Sequence, residues 1–276
     1  MSFVPLFFVS IIAGLMGSIS GMGGGVVLIP VLTAFGIDIK RAIAISILSV
    51  IVVSNSAAPS YVRRHIPNLR VTAFLEVFAV LGSLFGAYLT LVSRRRFLFF
   101  LCGGILLVSW LRLWRKRDVQ YEPAVSQDAL SRWLGLEGSY YDEAEKQTKS
   151  YQVNGTYLAA PLMFGAGVIS GLLGIGGSAM TVLIQDAVMK LPVKVSLTTS
   201  NLIIGVMALS GAGVYLEAGL VDPKLVVPMI LGVSIGAYTG SKLLVRLSNP
   251  VVRVLFLLVF VLLGIEMILH GMRGGW

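Results

Sequence analysis

Charged residues are scarce in this sequence, and cysteine and histidine are almost absent. Asp, Glu, Lys and Arg make up 13% of the 276 residues, whereas they make up about a quarter of a soluble domain. The one cysteine, Cys102, lies in an apolar run and can form no disulfide within the chain, and no Cys or His cluster offers a metal site. These shortages exclude an ordinary soluble domain and a disulfide-bonded fold, and we expect no metal and no cofactor.

Motifs of enzymes and of secreted proteins are missing as well. The sequence has no Gly-x-Ser-x-Gly elbow, no Walker loop and no His-Glu-x-x-His, so we expect no enzyme. No Lys or Arg precedes Lys40, which leaves the first apolar run without the basic start of a signal peptide and predicts a retained helix. The net charge of +9 lies in short clusters at the ends of apolar runs. That pattern is typical of membrane topology, and we expect no nucleic acid as a partner.

Long hydrophobic runs fill the rest of the sequence. The hydrophobic fraction is 56% and the mean hydropathy is +0.88. The runs reach about 20 residues, enough to cross a bilayer as helices, and they lack the alternation of barrel strands. We therefore predict an all-α integral membrane protein whose partner is the lipid bilayer. The expected helices are 3–20, 25–36, 39–62, 69–92 and 96–114, then 156–172, 178–189, 193–217, 223–246 and 250–270.

The chain is an internal duplication. The glycine-rich segment 21–25 recurs, slightly altered, at 174–178, and the same offset of 153 places Gly14 on Gly167. Further on, Gly86-Ala87-Tyr88 matches 236–238. We predict two homologous halves, each with a glycine-rich broken or re-entrant helix pair plus three full transmembrane helices. The predicted division is a first repeat at 1–114, a polar linker at 115–154 and a second repeat at 155–276.

The distribution of Lys and Arg indicates how the halves are oriented. If each glycine-loop pair enters and returns, each half has an odd number of crossings and the halves are inverted. Inversion places the basic cluster at 112–117 in the cytoplasm with Arg63 and Arg64, but leaves the three arginines at 94–96 outside. A parallel repeat would keep 94–96 in the cytoplasm and place the larger cluster outside with Arg63 and Arg64. Inversion is favoured because its violation of the positive-inside rule is smaller. For the linker, the polar composition favours a solvated, mobile segment over a short helix lying on the membrane surface with Trp133.

A glycine cluster at the start of a short helix suits the binding of an anion. The first backbone N–H groups of a helix have no intrahelical partner, glycine lets an anion approach them, and the helix dipole adds roughly half a positive charge. In an inverted repeat the two loops would meet near the middle of the membrane. The alternative is that glycines only let helices pack closely, which explains Gly82 and Gly86 well. The predicted substrate-binding loop residues are Gly21, Gly23, Gly24, Gly25, Gly174, Gly176, Gly177 and the helix-capping Ser178.

Polar side chains within the apolar runs are the remaining candidates. Hydroxyl groups recur on one stripe of the third helix of each half, where they could line an oxyanion site or only bond to neighbouring helices and carbonyl groups. Glu76 is the best-placed carboxyl for a proton-coupling role. The candidates for walls of the substrate site are Ser46, Ser49, Thr199, Ser200 and Asn201.

These residues resemble the TauE/SafE family of sulfite exporters. The resemblance lies in Ser20 to Gly25 followed by Pro30, in Ala44-Ile45-Ser46, and in the second copy at 174–177 with 198–201. It implies a secondary transporter that exports sulfite, sulfoacetate or related organosulfonates across the cytoplasmic membrane by alternating access. Leu183 departs from the pattern, since it stands where the first copy has proline. The residues alone argue only for an anion, and an anion channel, a non-transporting membrane scaffold and a homodimer remain open.

Overall fold

The fold consists of long helices with a small helix and hairpin inserted between the two halves. The computed structural model describes residues 3–20, 23–115, 127–142, 146–175, 177–244, 261–262 and 264–272. Gly21 and Gly176, two of the predicted site residues, lie outside the described residues. In chain order the elements are α1 (Phe3–Ser20), α2 (Gly25–Ala34), α3 (Ile39–Val62), α4 (Leu69–Val92), α5 (Arg95–Arg115), α6 (Ala129–Leu134), β1 (Gly138–Asp142), β2 (Gln147–Tyr151), α7 (Thr156–Leu173), α8 (Ser178–Leu183) continuing as a π-helix (Ile184–Val188), α9 (Val193–Glu217), α10 (Pro223–Leu244) and α11 (264–272).

Helix length and composition agree with a membrane protein. Among the described residues, five helices are apolar enough over at least 18 residues to cross a bilayer: α3, α4, α7, α9 and α10. In the first pair, the apolar stretches are Pro5–Ser18 of α1 and Gly25–Ala34 of α2. Side chains of the sequence set the helix starts: Asn68 Oδ1 accepts from the N–H groups of Arg70 and Val71 at 3.1 Å, which caps α4.

Two pairs of helices pack with their backbones in close contact. A Cβ added at Gly82 of α4 would meet the carbonyl oxygen of Phe164 on α7, and one added at Gly171 of α7 would meet that of Ser83. The second pair is α1 with α10, the helices equivalent to α7 and α4, and a Cβ at Gly236 there would meet the carbonyl oxygen of Ile11. Each pair joins the first repeat to the second. Gly82 is therefore a packing residue, as expected from its spacing.

The third helices of the two repeats, α3 and α9, cross in opposite directions. Ser54 Oγ donates to the carbonyl oxygen of Asn201 at 2.6 Å. Earlier in α3, Ile47 Cδ1 lies 2.8 Å from the position that a Cβ on Gly211 would take. Residue numbers rise along α3 as they fall along α9, so the two helices are antiparallel. Tyr215 of α9 joins the next layer by donating to Thr90 Oγ1 of α4 at 3.0 Å.

The described part of the linker is folded, which corrects the expectation of a solvated, mobile segment. Strands β1 and β2 form an antiparallel hairpin, with Gly138 paired to Tyr151. Asn68 Nδ2 donates to the carbonyl oxygen of Leu136 at 2.7 Å and to the Tyr151 hydroxyl at 3.0 Å. Asp128 caps α6 and also accepts from the N–H of Thr156 at 2.7 Å, the first residue of α7. These contacts are distant in sequence, so polar composition alone did not reveal them.

Candidate functional site

In the second repeat, the interrupted helix pair places a helix start inside the protein. After α7 the chain turns back, and the position of a Cβ on Gly177 lies 3.1 Å from the carbonyl oxygen of Ala166 and 2.9 Å from Ser170 Cβ. Ala166 is ten residues into α7, or about 15 Å from its start at 1.5 Å per residue. The helix that begins at Ser178 therefore starts roughly half-way along α7 and returns toward its first residue, where Gly155 lies against Val188.

The first repeat has the same arrangement at equivalent positions. The position of a Cβ on Gly24 lies 3.4 Å from the carbonyl oxygen of Ala13, and one on Gly17 would lie 2.6 Å from Gly24 N. At the offset of 153, Ala13, Gly17 and Gly24 correspond to Ala166, Ser170 and Gly177 of the second repeat. Both short helices thus start beside the middle of the helix that precedes them.

The two glycine loops touch each other. A Cβ on Gly25 would meet the carbonyl oxygen of Gly174 and would lie 3.2 Å from Ile175 Cα. Ser46 of α3 lies at this contact, and its hydroxyl donates to the carbonyl oxygen of Gly174 at 3.0 Å as well as to that of Ile43. Ser49, one turn further, has its Oγ 3.1 Å from the Cβ position of Gly24 and donates to the carbonyl oxygen of Ser46. The structure thus brings Gly24, Gly25, Gly174, Ser46 and Ser49 together.

The helix starts at both loops leave backbone donors without helical acceptors. In α2 the N–H groups of Val27 and Leu28 donate to the carbonyl oxygen of Gly24 at 3.2 and 3.1 Å, so those of Gly25 and Val26 have no acceptor within the helix. In α8 the first such acceptor is Gly177, which receives the N–H of Met180 at 3.0 Å. These first-turn amides are the groups that an anion would use.

Glycine is required by backbone conformation at three positions of the loops. Gly23, Gly174 and Gly177 have φ values of +70°, +64° and +57°, in the left-handed region that side chains disfavour. Gly177 is also the N-cap of α8, which corrects the prediction that Ser178 caps it: Ser178 is the first residue of the helix. The left-handed turn at Gly177 lets the helix begin at Ser178, one residue earlier than a cap at Ser178 would have placed it.

The candidates on α9 have different neighbours. Ser200, which aligns with Ser46 after a one-residue slip, accepts a hydrogen bond from Gln185 Nε2 at 3.0 Å. Thr199 Oγ1 accepts from the N–H of Asn68 at 3.0 Å, so its described partner is the start of α4. The carbonyl oxygen of Asn201 accepts a hydrogen bond from the Ser54 hydroxyl of α3. The described contacts of Thr199 and Asn201 therefore join helices and do not reach the glycine loops.

The proton-coupling candidate Glu76 is half-buried on α4. It makes no hydrogen bond or ion pair with the residues that the structure describes. It lies one turn before Ala79, whose carbonyl oxygen packs against Gly167 of α7. Because α4 and α7 run in the same direction, Glu76 lies about one turn closer to the starts of these helices than the point beside Ala166 where α8 begins.

Two polar side chains near the second loop were not predicted as site residues. Ser170 and Gln185 are fully buried. Within the described residues, Ser170 Oγ and Gln185 Oε1 have no hydrogen-bond partner. Gln185 had the same sequence signal as Asn201, an amide within an apolar run, whereas Ser170 resembled a small packing residue. Also within the described part, no group of three or more His, Cys, Asp or Glu side chains could hold a metal ion.

The architecture defines a class of protein. Long apolar helices and two interrupted helix pairs that meet inside the molecule are typical of membrane transporters with internal repeats. A model of the family Sulfite exporter TauE/SafE matches residues 6–267, nearly the whole chain. The chain belongs to this family, so it is a multi-pass membrane protein and a membrane transporter of the TauE/SafE type, and the resemblance stated from its motifs is confirmed.

Curated relatives agree with this membership. The chain is 25% identical over 280 residues to "Probable membrane transporter protein YunE" of Bacillus subtilis (strain 168), covering 98% of this chain and 99% of that protein. It is 29% identical over 240 residues to "Probable membrane transporter protein YdhB" of the same organism, covering 86% of each. No solved structure matches. The family is one of membrane transporters and not of enzymes.

Proposed function

We propose that this protein is a secondary transporter that exports small sulfur-containing anions such as sulfite, sulfoacetate or a related organosulfonate. The family description supports the class of substrate. The residues support an anion as substrate, because the backbone N–H groups in the first turns of α2 and α8 can bind an anion without a basic side chain. Transport proceeds by alternating access, in which the two halves of the molecule rearrange around the bound anion.

The contact between the two glycine loops is the observation that carries the proposal. Gly25 of the first repeat lies against Gly174 of the second, and Ser46 and Ser49 lie at the same contact. An anion held there would receive N–H groups from two helix starts, one in each repeat, and would gain from both helix dipoles. A movement of one repeat relative to the other would change that coordination, as alternating access requires.

We further propose that the two repeats are inverted. Two observations support this: α3 is antiparallel to its counterpart α9, and α5 is antiparallel to α11. In the second pair, the position of a Cβ on Gly103 lies 2.7 Å from Ile268 Cγ1, and that of a Cβ on Gly271 lies 3.2 Å from Phe99 Cβ. Residue numbers thus rise along α5 as they fall along α11. A pair of equivalent helices runs antiparallel when the axis relating the repeats lies in the membrane plane.

The positive-inside rule then places the linker in the cytoplasm. Contacts with Asn68 and Thr156 hold the linker at the face where α4 and α7 begin. The same face carries a group of basic residues close to helix ends: Arg63, Arg64, Arg70, Lys190 and Lys194. On the opposite face, the Arg95 guanidinium pairs with Asp38 at 2.8 Å, which partly offsets the basic residues left outside.

Counterflow in proteoliposomes tests the proposed function. Vesicles loaded with unlabelled sulfite should take up radiolabelled sulfite to a transient level above that outside, because a carrier exchanges one bound anion for another. Unlabelled sulfoacetate inside should also drive this uptake. Uptake that only reaches the outside level would indicate a channel, and the absence of any uptake with these anions would contradict the proposal.

A further inference from the structure

One serine beside the second glycine loop differs from the other buried hydroxyl residues of the long helices. Among the described residues, the buried serine and threonine hydroxyls without a hydrogen-bond partner are those of Ser131, in the linker, and Ser170, in α7. A serine inside a helix can donate to the carbonyl oxygen of the preceding turn, as Ser10 of α1 does to Leu6 at 2.7 Å. Buried polar groups in native proteins are nearly always paired, so the unpaired hydroxyl of Ser170 calls for a physical reason.

Ser170 lies beside both ends of the second glycine loop. Its carbonyl oxygen accepts the N–H of Gly174 at 2.8 Å, where the loop begins. Its side chain lies against Gly177, where the loop ends: Ser170 Cβ and Oγ are 2.9 and 3.4 Å from the position that a Cβ on Gly177 would take. The unpaired hydroxyl therefore adjoins the N-cap of α8, and Gly174, one turn further along the chain, is the residue that contacts Gly25 of the first loop.

The backbone groups that follow Gly177 are hydrogen-bond donors. Gly177 provides the first carbonyl acceptor of α8 and receives the N–H of Met180 at 3.0 Å, so the N–H groups of Ser178 and Ala179 have no acceptor within the helix. A serine hydroxyl can donate as well as accept. A ligand that pairs with these two amides and with the hydroxyl must offer acceptor atoms, which is what the oxygen atoms of an anion do.

The first repeat has no hydroxyl at the equivalent position. At the offset of 153, Ser170 corresponds to Gly17, and a Cβ on Gly17 would lie 2.6 Å from the backbone nitrogen atom of Gly24, the N-cap of α2. In both repeats this position thus faces the start of the short helix. The second loop leaves room for a side chain there, and the side chain that occupies it is polar.

We propose that Ser170 contacts the transported anion, and that its hydroxyl donates a hydrogen bond to an oxygen atom of the anion at the second loop. This inference rests on the proposed function. The Ser170 hydroxyl and the first-turn N–H groups of α8 bind the anion together, so the second loop holds it with a side chain as well as with backbone groups. A hydroxyl is a neutral donor, and it adds affinity without a basic side chain inside the membrane, which would be costly.

The test compares Ser170→Ala with Ser10→Ala, the same change in the equivalent helix. Ser10 is a fully buried serine of α1 that packs against Gly232 of α10. For purified full-length protein, one would measure the sulfite affinity by calorimetry and the melting temperature without anion. We expect Ser170→Ala to melt no lower than wild type, because it removes an unpaired buried group and alanine favours the helix. Its sulfite affinity should fall about ten-fold or more, the loss expected for one hydrogen bond to a charged group.

Ser10→Ala should keep the wild-type affinity for sulfite, and Ser170→Gly, which copies the residue of the first repeat, should lose as much affinity as Ser170→Ala. Wild-type affinity in either Ser170 variant would overturn the inference, and the hydroxyl would then be paired with water. A Ser170→Ala protein that melts markedly lower or fails to fold, or an equal loss of affinity in Ser10→Ala, would also overturn it, since the effect would then be structural. Wild-type protein that binds no sulfite would overturn the proposed function and this inference with it.

Discussion

Gly24→Ala separates a binding role of the first glycine loop from a packing role. Gly24 has φ −69° and ψ −11°, a conformation that alanine adopts without strain. A Cβ there would lie 3.1 Å from Ser49 Oγ and 3.4 Å from the carbonyl oxygen of Ala13, tight contacts that a small shift of the serine relieves. The methyl group would nevertheless stand beside the first-turn amides of α2, where the anion is proposed to bind. We therefore expect a folded protein with a weakened site.

The expected loss follows from one charge-assisted hydrogen bond. Such bonds contribute about 1.5 to 3 kcal/mol, which corresponds to roughly ten-fold to over a hundred-fold in affinity. The effect on folding should be small, because alanine lowers the conformational entropy of the unfolded chain while being a poorer N-cap than glycine, and these effects oppose each other.

The structure also selects the control. Gly82, a packing residue, is unsuitable because a Cβ there would collide with the backbone of α7. Gly104 of α5 is suitable, since nothing lies within 4 Å of its Cβ position. Gly104→Ala adds the same methyl group and should stabilise the helix by up to about 1 kcal/mol, as expected inside helices.

Sulfite affinity of the purified proteins, measured by calorimetry alongside their melting temperatures, provides the assay. We expect Gly24→Ala to lose affinity at a nearly unchanged melting temperature, and Gly104→Ala to retain wild-type affinity. Should Gly24→Ala bind sulfite as wild type does while remaining folded, the backbone of this loop does not hold the anion.

Three further predictions concern coupling, topology and the linker. If Glu76 takes part in proton coupling, Glu76→Gln should flatten the pH profile of sulfite flux in proteoliposomes, and an unchanged profile would assign it a structural role. In a Cys102→Ala background, a cysteine at Ala218 should react with an impermeant reagent in whole cells and one at Ser139 should not; equal labelling would contradict the inverted arrangement. Asp128→Ala removes the cap shared by α6 and α7 and should lower the free energy of unfolding by about 1 to 2 kcal/mol, whereas an unchanged denaturation midpoint would show that the linker does not brace α7.

Local sequence signals were sufficient for the helices. The bounds of α1, α3, α4 and α9 agree with those expected from apolar runs and from Asn68 before α4. The contact of Ser46 with the second loop agrees with the prediction that serines of the third helix lie beside the glycine loops. These features depend on residues close in sequence or on equivalent positions, which a sequence displays directly.

Features that depend on long-range contacts could not be predicted. The linker hairpin is held by Asn68, about 70 residues earlier in the chain, through its bond to Leu136. Thr199 is adjacent to Ser200, but successive side chains of a helix point about 100° apart. Thr199 therefore faces the start of α4, where its hydroxyl accepts from the N–H of Asn68. The π-helical turn Ile184–Val188 has no glycine or proline that would mark it in the sequence.

Locating a bound anion would test the central claim most directly. Selenite resembles sulfite in shape and charge, and its selenium atom gives an anomalous signal in diffraction from crystals grown with it. We predict one peak inside the protein, with its oxygen atoms within roughly 3 Å of backbone nitrogen atoms at the starts of α2 and α8 and close to Ser46. A peak elsewhere in the membrane-spanning part, with the contact of Gly25 and Gly174 unoccupied, would contradict the account.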